Sequence, residues 1–372
     1  SGLVRHPLVW AVLAFILVMT LYGRDQHWPF WYQFDEESKG MQVISGERNL
    51  HHPLMAVNAT ALAFDLRGGG DRLQVAVETG RLCGAAALAV AVSALTWLAC
   101  RLAGPIAGGL TMISLALHPA MVFSAHKFKE DPFLLAGWSL LLVAGHSMAC
   151  KPGLATAVTT GLAAGLCASG KHIGWWPALA GVVFVAWCSR YDTGSFRWKR
   201  MFAYLGAMVI VWSFINVQMV ADPLRAFARL KHEIEHQLFN DTGNSLWTLY
   251  REQAGWGGLA GLLVYLLVRL RAIRSWPPVE VFAIVVAGAY FVSLFGISRL
   301  VDRYLLPVLI TQGFLSAVGL GVLIRKAPGD VPRRWMAYAV VLLLAVATLG
   351  PTVRDGARRL VAYAGPDTRA AM

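Results

Sequence analysis

Charge is scarce in this chain. Only 15% of its 372 residues are Asp, Glu, Lys or Arg, against 57% apolar residues, a balance that excludes water as the main solvent. Acid is scarcer than base, 21 residues against 33, for a net charge of +12. The basic residues are scattered between apolar stretches rather than gathered on a soluble face, so nucleic acid is not an implied partner. Cysteine is limited to Cys83, Cys100, Cys150, Cys167 and Cys188, all in or at the ends of apolar stretches and without C-x-x-C spacing. Neither a zinc ribbon nor a disulfide framework follows. The first apolar stretch lacks a small-residue cleavage pattern and runs into Tyr22-Gly23-Arg24-Asp25, so it reads as a retained anchor rather than a secretory signal.

Apolar sequence fills the space that charge leaves. A span needs about 20 apolar residues, and such stretches recur from end to end. Eleven are expected, at about 7–23, 74–100, 104–124, 132–150, 153–169, 173–189, 201–220, 255–268, 279–297, 304–324 and 335–351. The chain reads as an all-α polytopic integral membrane protein, a single transmembrane domain over residues 1–372 with no soluble C-terminal domain. Basic residues set its orientation. With the N-terminus inside, the cytoplasmic segments hold Arg5, Arg101, Lys151, Arg190, Arg197, Lys199, Arg200, Arg269, Arg271, Arg274, Arg325, Lys326, Arg333 and Arg334, against only Asp192, Glu280 and Asp330.

That orientation leaves short connections inside and two long segments outside, 24–73 and 221–254, where function concentrates. The first carries an aromatic belt, Trp28, Phe30, Trp31, Tyr32 and Phe34, of the kind found at a headgroup interface. Phe34-Asp35-Glu36-Glu37-Ser38-Lys39 suits the start of a short helix, since carboxylates favour the first turn. The run from Pro53 to Phe64 is too short to span and is expected to lie along the interface. In the second segment, Pro223 to Lys231 repeats apolar positions at helical spacing beside a basic face, which predicts another interfacial helix.

Ionisable groups at a membrane surface are costly unless solvated, paired or used, which draws attention to Asp35-Glu36-Glu37 and Lys127-Phe128-Lys129-Glu130-Asp131. A carboxylate there can take a proton from an attacking hydroxyl, and a second can orient an acceptor or hold a cation. Lys127, Lys129 and Lys171 can neutralise a phosphate leaving group. The alternative is a set of ordinary solvated loop charges, and charge alone does not separate the two. His51-His52-Pro53 is either a polar cap or part of a metal site.

Two motif matches lead elsewhere. His232-Glu233-Ile234-Glu235-His236 has zincin spacing, with two His on one helical face for zinc and a Glu to activate water. Glu235, however, puts charge where that helix packs apolar residues, and the only third ligand in view is Glu252. Gly165 to His172 nearly fits a phosphate loop but has no preceding strand, and His172 stands where Ser or Thr is required.

Taken in order, these features resemble the GT-C glycosyltransferases that use polyprenyl-phosphate sugars, the superfamily of protein O-mannosyltransferases and lipid A aminoarabinose transferases. The resemblance covers most of the chain. It rests on Asp35-Glu36 with Lys39, His52-Pro53, Lys129-Glu130-Asp131-Pro132, Lys171, the helix over 223–238 and Arg303-Tyr304-Leu305-Leu306-Pro307. It implies an inverting transfer of sugar from a polyprenyl-phosphate carrier to a hydroxyl of an envelope glycolipid or glycan, outside the cytoplasm of a bacterial inner membrane. Asp35 would be the base and Asp131 its partner. Glu36, Glu130 and His52 would support the acceptor, and Lys127, Lys129, Lys171 and Arg303 would hold the donor phosphate. No nucleotide or redox cofactor is implied. A divalent metal at His51, His52, His232 or His236 stays open. The rivals are a metalloprotease built on His232 and His236, a transporter, and a non-catalytic assembly subunit.

Overall fold

The computed structural model describes residues 6–27, 34–190, 196–239, 243, 245–270, 276–298, 301–325 and 331–363, and every regular element among them is helical. Trp28, Phe30, Trp31 and Tyr32 of the expected aromatic belt lie outside these residues, as do Arg5, Asp192, Arg271, Arg274, Lys326 and Asp330. The chain opens with α1 (Pro7–Tyr22), and α2 (Phe34–Ser45) and α3 (Met55–Leu66) occupy the first long segment. Then come α4 (Leu73–Ala103), α5 (Pro105–Ala116), α6 (Pro119–Ala125), α7 (Asp131–Cys150), α8 (Leu154–Gly170), α9 (Trp175–Cys188) and α10 (Phe196–Ile215). The second long segment forms α11 (Val217–Ala221) and α12 (Pro223–Phe239), followed by α13 (Leu246–Leu270), α14 (Pro278–Ser293), α15 (Leu306–Arg325) and α16 (Val331–Tyr363).

Among the described residues six segments are long and apolar enough to cross a bilayer: α4, α7, α13, Pro278–Gly296, Arg303–Arg325 and Tyr338–Tyr363. Counting the bent pair of α5 and α6 as one span makes seven, so the expected eleven is not reached by this measure. Length is the reason. The apolar helices α1, α8 and His172–Cys188 do not exceed 17 residues, roughly 25 Å of helix at 1.5 Å per residue, against a hydrocarbon core about 30 Å thick. The 20-residue α10 opens on Arg197, Lys199 and Arg200, which shortens its apolar part.

Three breaks depart from the expected spans. The third span bends by 58° between α5 and α6, where His118 Nδ1 caps the Ala120 N–H (3.2 Å) and Pro119 starts a new helix. The eighth begins earlier than expected, at Leu246, and kinks at Gly255, whose φ of 63° and ψ of 172° suit only glycine. The last runs on through Pro351 to Tyr363. Close packing explains Gly161 and Gly165: both sit on α8 against α10 backbone, at Tyr204 and Met208, where a Cβ would collide.

Both long segments meet at one end of the bundle. Asn216, just before α11, accepts from the Leu54 N–H (2.7 Å), and Asn58 of α3 donates to the Ile215 carbonyl (2.9 Å). Leu50, Leu54 and Met219 close over this junction. The short α2 and α3 and the amphipathic α12 thus surround the end where α4, α7 and α8 present their charged residues.

Candidate active site

In the first turn of α2, Asp35 and Glu36 are about 100° apart around the helix axis and enter different surroundings. The Asp35 side chain is 48% exposed and forms an ion pair with Lys129. Glu36 turns the other way and is sealed against α4, where it accepts from Arg81 Nε (3.0 Å), Arg81 Nη2 (2.9 Å) and the Phe128 N–H (2.7 Å). Arg81 also donates to the Gln26 carbonyl (2.9 Å). Phe128 is fully buried, its ring against Gly80 of α4, where any Cβ would overlap it. These contacts hold the loop before α7 against α2 and place Lys129 and Glu130 opposite Asp35.

The result is a cleft of about 280 Å³ lined by Asp35, Lys39, His51, His52, Lys129, Glu130, Lys171, Glu233, His236, Arg303 and Tyr304. Ser38, Asn49 and Gln237 line it too, with no motif to announce them. Lys39 pairs with Glu130 (2.9 Å). Lys171, at the C-terminal end of α8, pairs with Asp131 (2.7 Å) and sits 4.6 Å from the Tyr304 ring centre. Arg303 reaches the same Asp131 at 3.7 Å. Tyr304 donates its hydroxyl to Gln237 Oε1 (2.8 Å), and Gln237 Nε2 donates to Glu233 (2.6 Å), which ties the cleft wall to α12.

Several expected residues stand elsewhere. Glu36 faces α4 and its acceptor capacity is spent on Arg81 and Phe128, so it does not reach the cleft. Asp131 is buried behind the lining, where it orients Lys171 and Arg303. Lys127 points away to lie 3.5 Å over the Phe123 ring. His232 is outside the lining, its ring 5.8 Å from that of His51 and 6.4 Å from that of His236. No three His, Cys, Asp or Glu side chains converge for a metal among the described residues. Arg81 had a signal that could have found it: a lone Arg inside an apolar stretch needs a partner.

Burial and neighbours tune the cleft. Burial, reinforced by Arg303, lowers the Lys129 amine to about 8 against the pull of Glu130 and Asp131. Burial pushes the Glu130 carboxyl up, but Lys39, His52 and Lys129 outweigh it and hold it well below the usual carboxylate range. Lys171 is the reverse of Lys129: burial alone would lower it, and Asp131 and Tyr304 raise it instead. Burial holds His52 below its ordinary value, which favours the neutral ring.

The cleft continues into apolar space. A second cavity of about 220 Å³ shares His52, Lys171, Glu233, Gln237 and Tyr304 with it and adds Leu230, Ile234, Leu238 and Ile297. A third, of about 590 Å³, runs on between α12 and the tryptophans Trp175, Trp176 and Trp212. Charge therefore grades into hydrocarbon along one path under α12.

No protein-family model matches the chain, and no curated protein matches it by sequence. Solved structures do match. ArnT from Cupriavidus metallidurans bound to undecaprenyl phosphate superposes with a TM-score of 0.65 at 20% identity, covering 96% of this chain and 73% of that one. In its apo state the values are 0.66, 18%, 94% and 76%. The Archaeoglobus fulgidus oligosaccharyltransferase in its apo form gives 0.60 at 14% identity, covering 95% of this chain and 56% of that one. At these identities the likeness is one of fold: over nearly its whole length the chain has a GT-C-like architecture.

Proposed function

We propose that this protein is a glycosyltransferase that moves a sugar from a polyprenyl-phosphate carrier to a hydroxyl of an envelope glycolipid or glycan, with inversion, on the extracytoplasmic face of a bacterial inner membrane. One observation carries the reading: a half-exposed carboxylate, three cations and an apolar trough share a continuous cleft. The fold shared with ArnT, seen with undecaprenyl phosphate, supports it.

In this reading the phosphate lies between Lys129, Lys171 and Arg303, and the tail follows the apolar cavities under α12. The three cations share two carboxylates, Asp35 and Asp131, and Lys39 offsets Glu130 while Glu233 adds a further carboxylate to the same cleft, so the phosphodiester binds by competing for these cations rather than by meeting a surplus charge. Because the tail exchanges lipid for an equally apolar wall, its burial contributes little free energy. The trough admits the tail and the cations hold the head.

Asp35 takes the proton of the acceptor hydroxyl as its oxygen attacks the anomeric carbon. The new C–O bond forms on the face opposite the phosphate. The old C–O bond breaks with its electron pair going to the phosphate oxygen. The leaving group's charge grows during this step, so Lys129, Lys171 and Arg303 bind the transition state more tightly than the ground state. Asp131 acts through Lys171 and Arg303 by fixing their positions.

The test is to supply the purified protein in nanodiscs with polyprenyl-phosphate-linked sugars and follow release of free polyprenyl phosphate. Release is expected, and Asp35→Asn should slow it by about 10²–10⁴ without loss of donor binding. Inactivity with every donor, combined with zinc-dependent peptide cleavage, would overturn the reading in favour of a protease.

A further inference from the structure

Two of the helix breaks meet at one small polar cavity. The bend at His118 between α5 and α6 and the kink at Gly255 in α13 both lie against a space of about 30 Å³ that α15 and α16 close. His118 lines it, as do Ala254 and Gly258 on either side of the kink. Ser114 of α5, Gln312 and Ser316 of α15, and Thr348 and Thr352 of α16 complete its polar wall.

These groups are only partly used. Gln312 Oε1 accepts from the Tyr250 hydroxyl (2.8 Å). Gln312 Nε2 and the Ser316 hydroxyl have no hydrogen-bond partner among the described residues, although the two residues are only 5% and 1% exposed. A buried donor without an acceptor is costly. The Ser114 and Thr348 hydroxyls donate to the Thr111 and Leu344 carbonyls of their own helices (3.2 and 2.7 Å), and their lone pairs remain able to accept. Gly258 permits the arrangement, since a Cβ there would lie 2.6 Å from Gln312 Nε2.

Chemistry selects the occupant. Among the described residues no Asp, Glu, Lys or Arg lines the space, so neither a cation nor an anion would meet a counter-charge. A hydrocarbon chain would leave the donors unmade. At about 15 Å³ per water the volume suits two, and the wall supplies the roughly two to four polar partners that each requires. A break in a membrane helix also frees backbone groups, which ordered water can satisfy.

We propose that this cavity binds about two water molecules, and that they join α5, α13, α15 and α16 at the two breaks. The water accepts from Gln312 Nε2 and donates to the Ser114 and Thr348 hydroxyls. The site is separate from the cleft and stands whether or not the chain transfers sugar.

The test is X-ray hydroxyl-radical labelling of the full chain in nanodiscs, read by mass spectrometry, because water held in place is split there and marks the side chains beside it. Leu115 and Leu309 line the cavity, and Leu88 and Leu95 of α4 are as deeply buried away from it. The first pair should be hydroxylated about tenfold faster than the second if water is bound. Gln312→Leu with Ser316→Ala, which removes both orphan groups and fills the space, should bring the two pairs level. If that double variant does not fold, Gln312→Leu alone carries the test and should at least narrow the gap. Equal labelling of the two pairs in the unaltered protein would overturn the proposal, since the cavity is then dry. A difference that persists unchanged in the folded variant would also overturn it.

Discussion

Asp35 and Glu36 are consecutive residues of α2 and both meet a base, yet the first keeps a half-exposed side chain in the cleft while the second is closed inside the bundle against Arg81. Three donors converge on Glu36, which leaves it little capacity to take a substrate proton. Among the described residues Asp35 pairs in the cleft with Lys129, itself an amine lowered to about 8. Carboxylates with the same chemistry thus divide into one that positions and one that can react. A buried ion pair is weak evidence of net stabilisation, but removing one of its partners is costly because the other charge is left without compensation.

The contrast can be broken from either side. The largest effect is expected at the cleft: Asp35→Asn should lower turnover by about 10²–10⁴, the usual contribution of a positioned base, while the melting temperature stays near that of the unaltered protein. A matching fall in thermal stability would erase the distinction. Next comes Glu36→Gln, expected to destabilise by about 3–5 kcal/mol, read as a lowered melting temperature in detergent. Replacing Glu36 and Arg81 together by Met should recover much of that loss, because no lone charge then remains.

A smaller effect concerns pH. Below about 8 Lys129 carries its proton and attracts phosphate; above it the amine is neutral. The donor KM should therefore rise as pH climbs through about 8, and Lys129→Arg should flatten the profile. The mildest change is Tyr304→Phe, which keeps the ring beside Lys171 and removes the hydrogen bond to Gln237. One such bond is worth about 1 kcal/mol, so the donor KM should rise about fivefold with turnover little changed.

Hydropathy made the helices legible but not their ends. The bend at His118 and Pro119 lies inside a continuous apolar run, and no period in the sequence marks it. Gly255 kinks α13 through a backbone conformation, which a residue name permits without announcing. At the site, Lys39, Lys129, Glu130, Lys171 and Arg303 were visible as charges at loop boundaries, and the structure brings them to one cleft. What stayed hidden was direction. Neighbours such as Asp35 and Glu36, or Lys127 and Lys129, diverge because a helix or turn rotates them apart, and only packing decides which one meets the cleft.

The Arg81–Glu36 pair also bears on how the chain is made. Arg81 is fully buried within a helix that must enter the bilayer, and an uncompensated Arg there resists insertion. Its partner lies 45 residues earlier. At roughly 5–20 residues per second of synthesis, Glu36 leaves the ribosome several seconds before Arg81, so the carboxylate is already waiting when the arginine arrives. The order of translation thereby spares this helix a period with an orphan charge, and a chain permuted to make α4 before α2 would meet that barrier unaided.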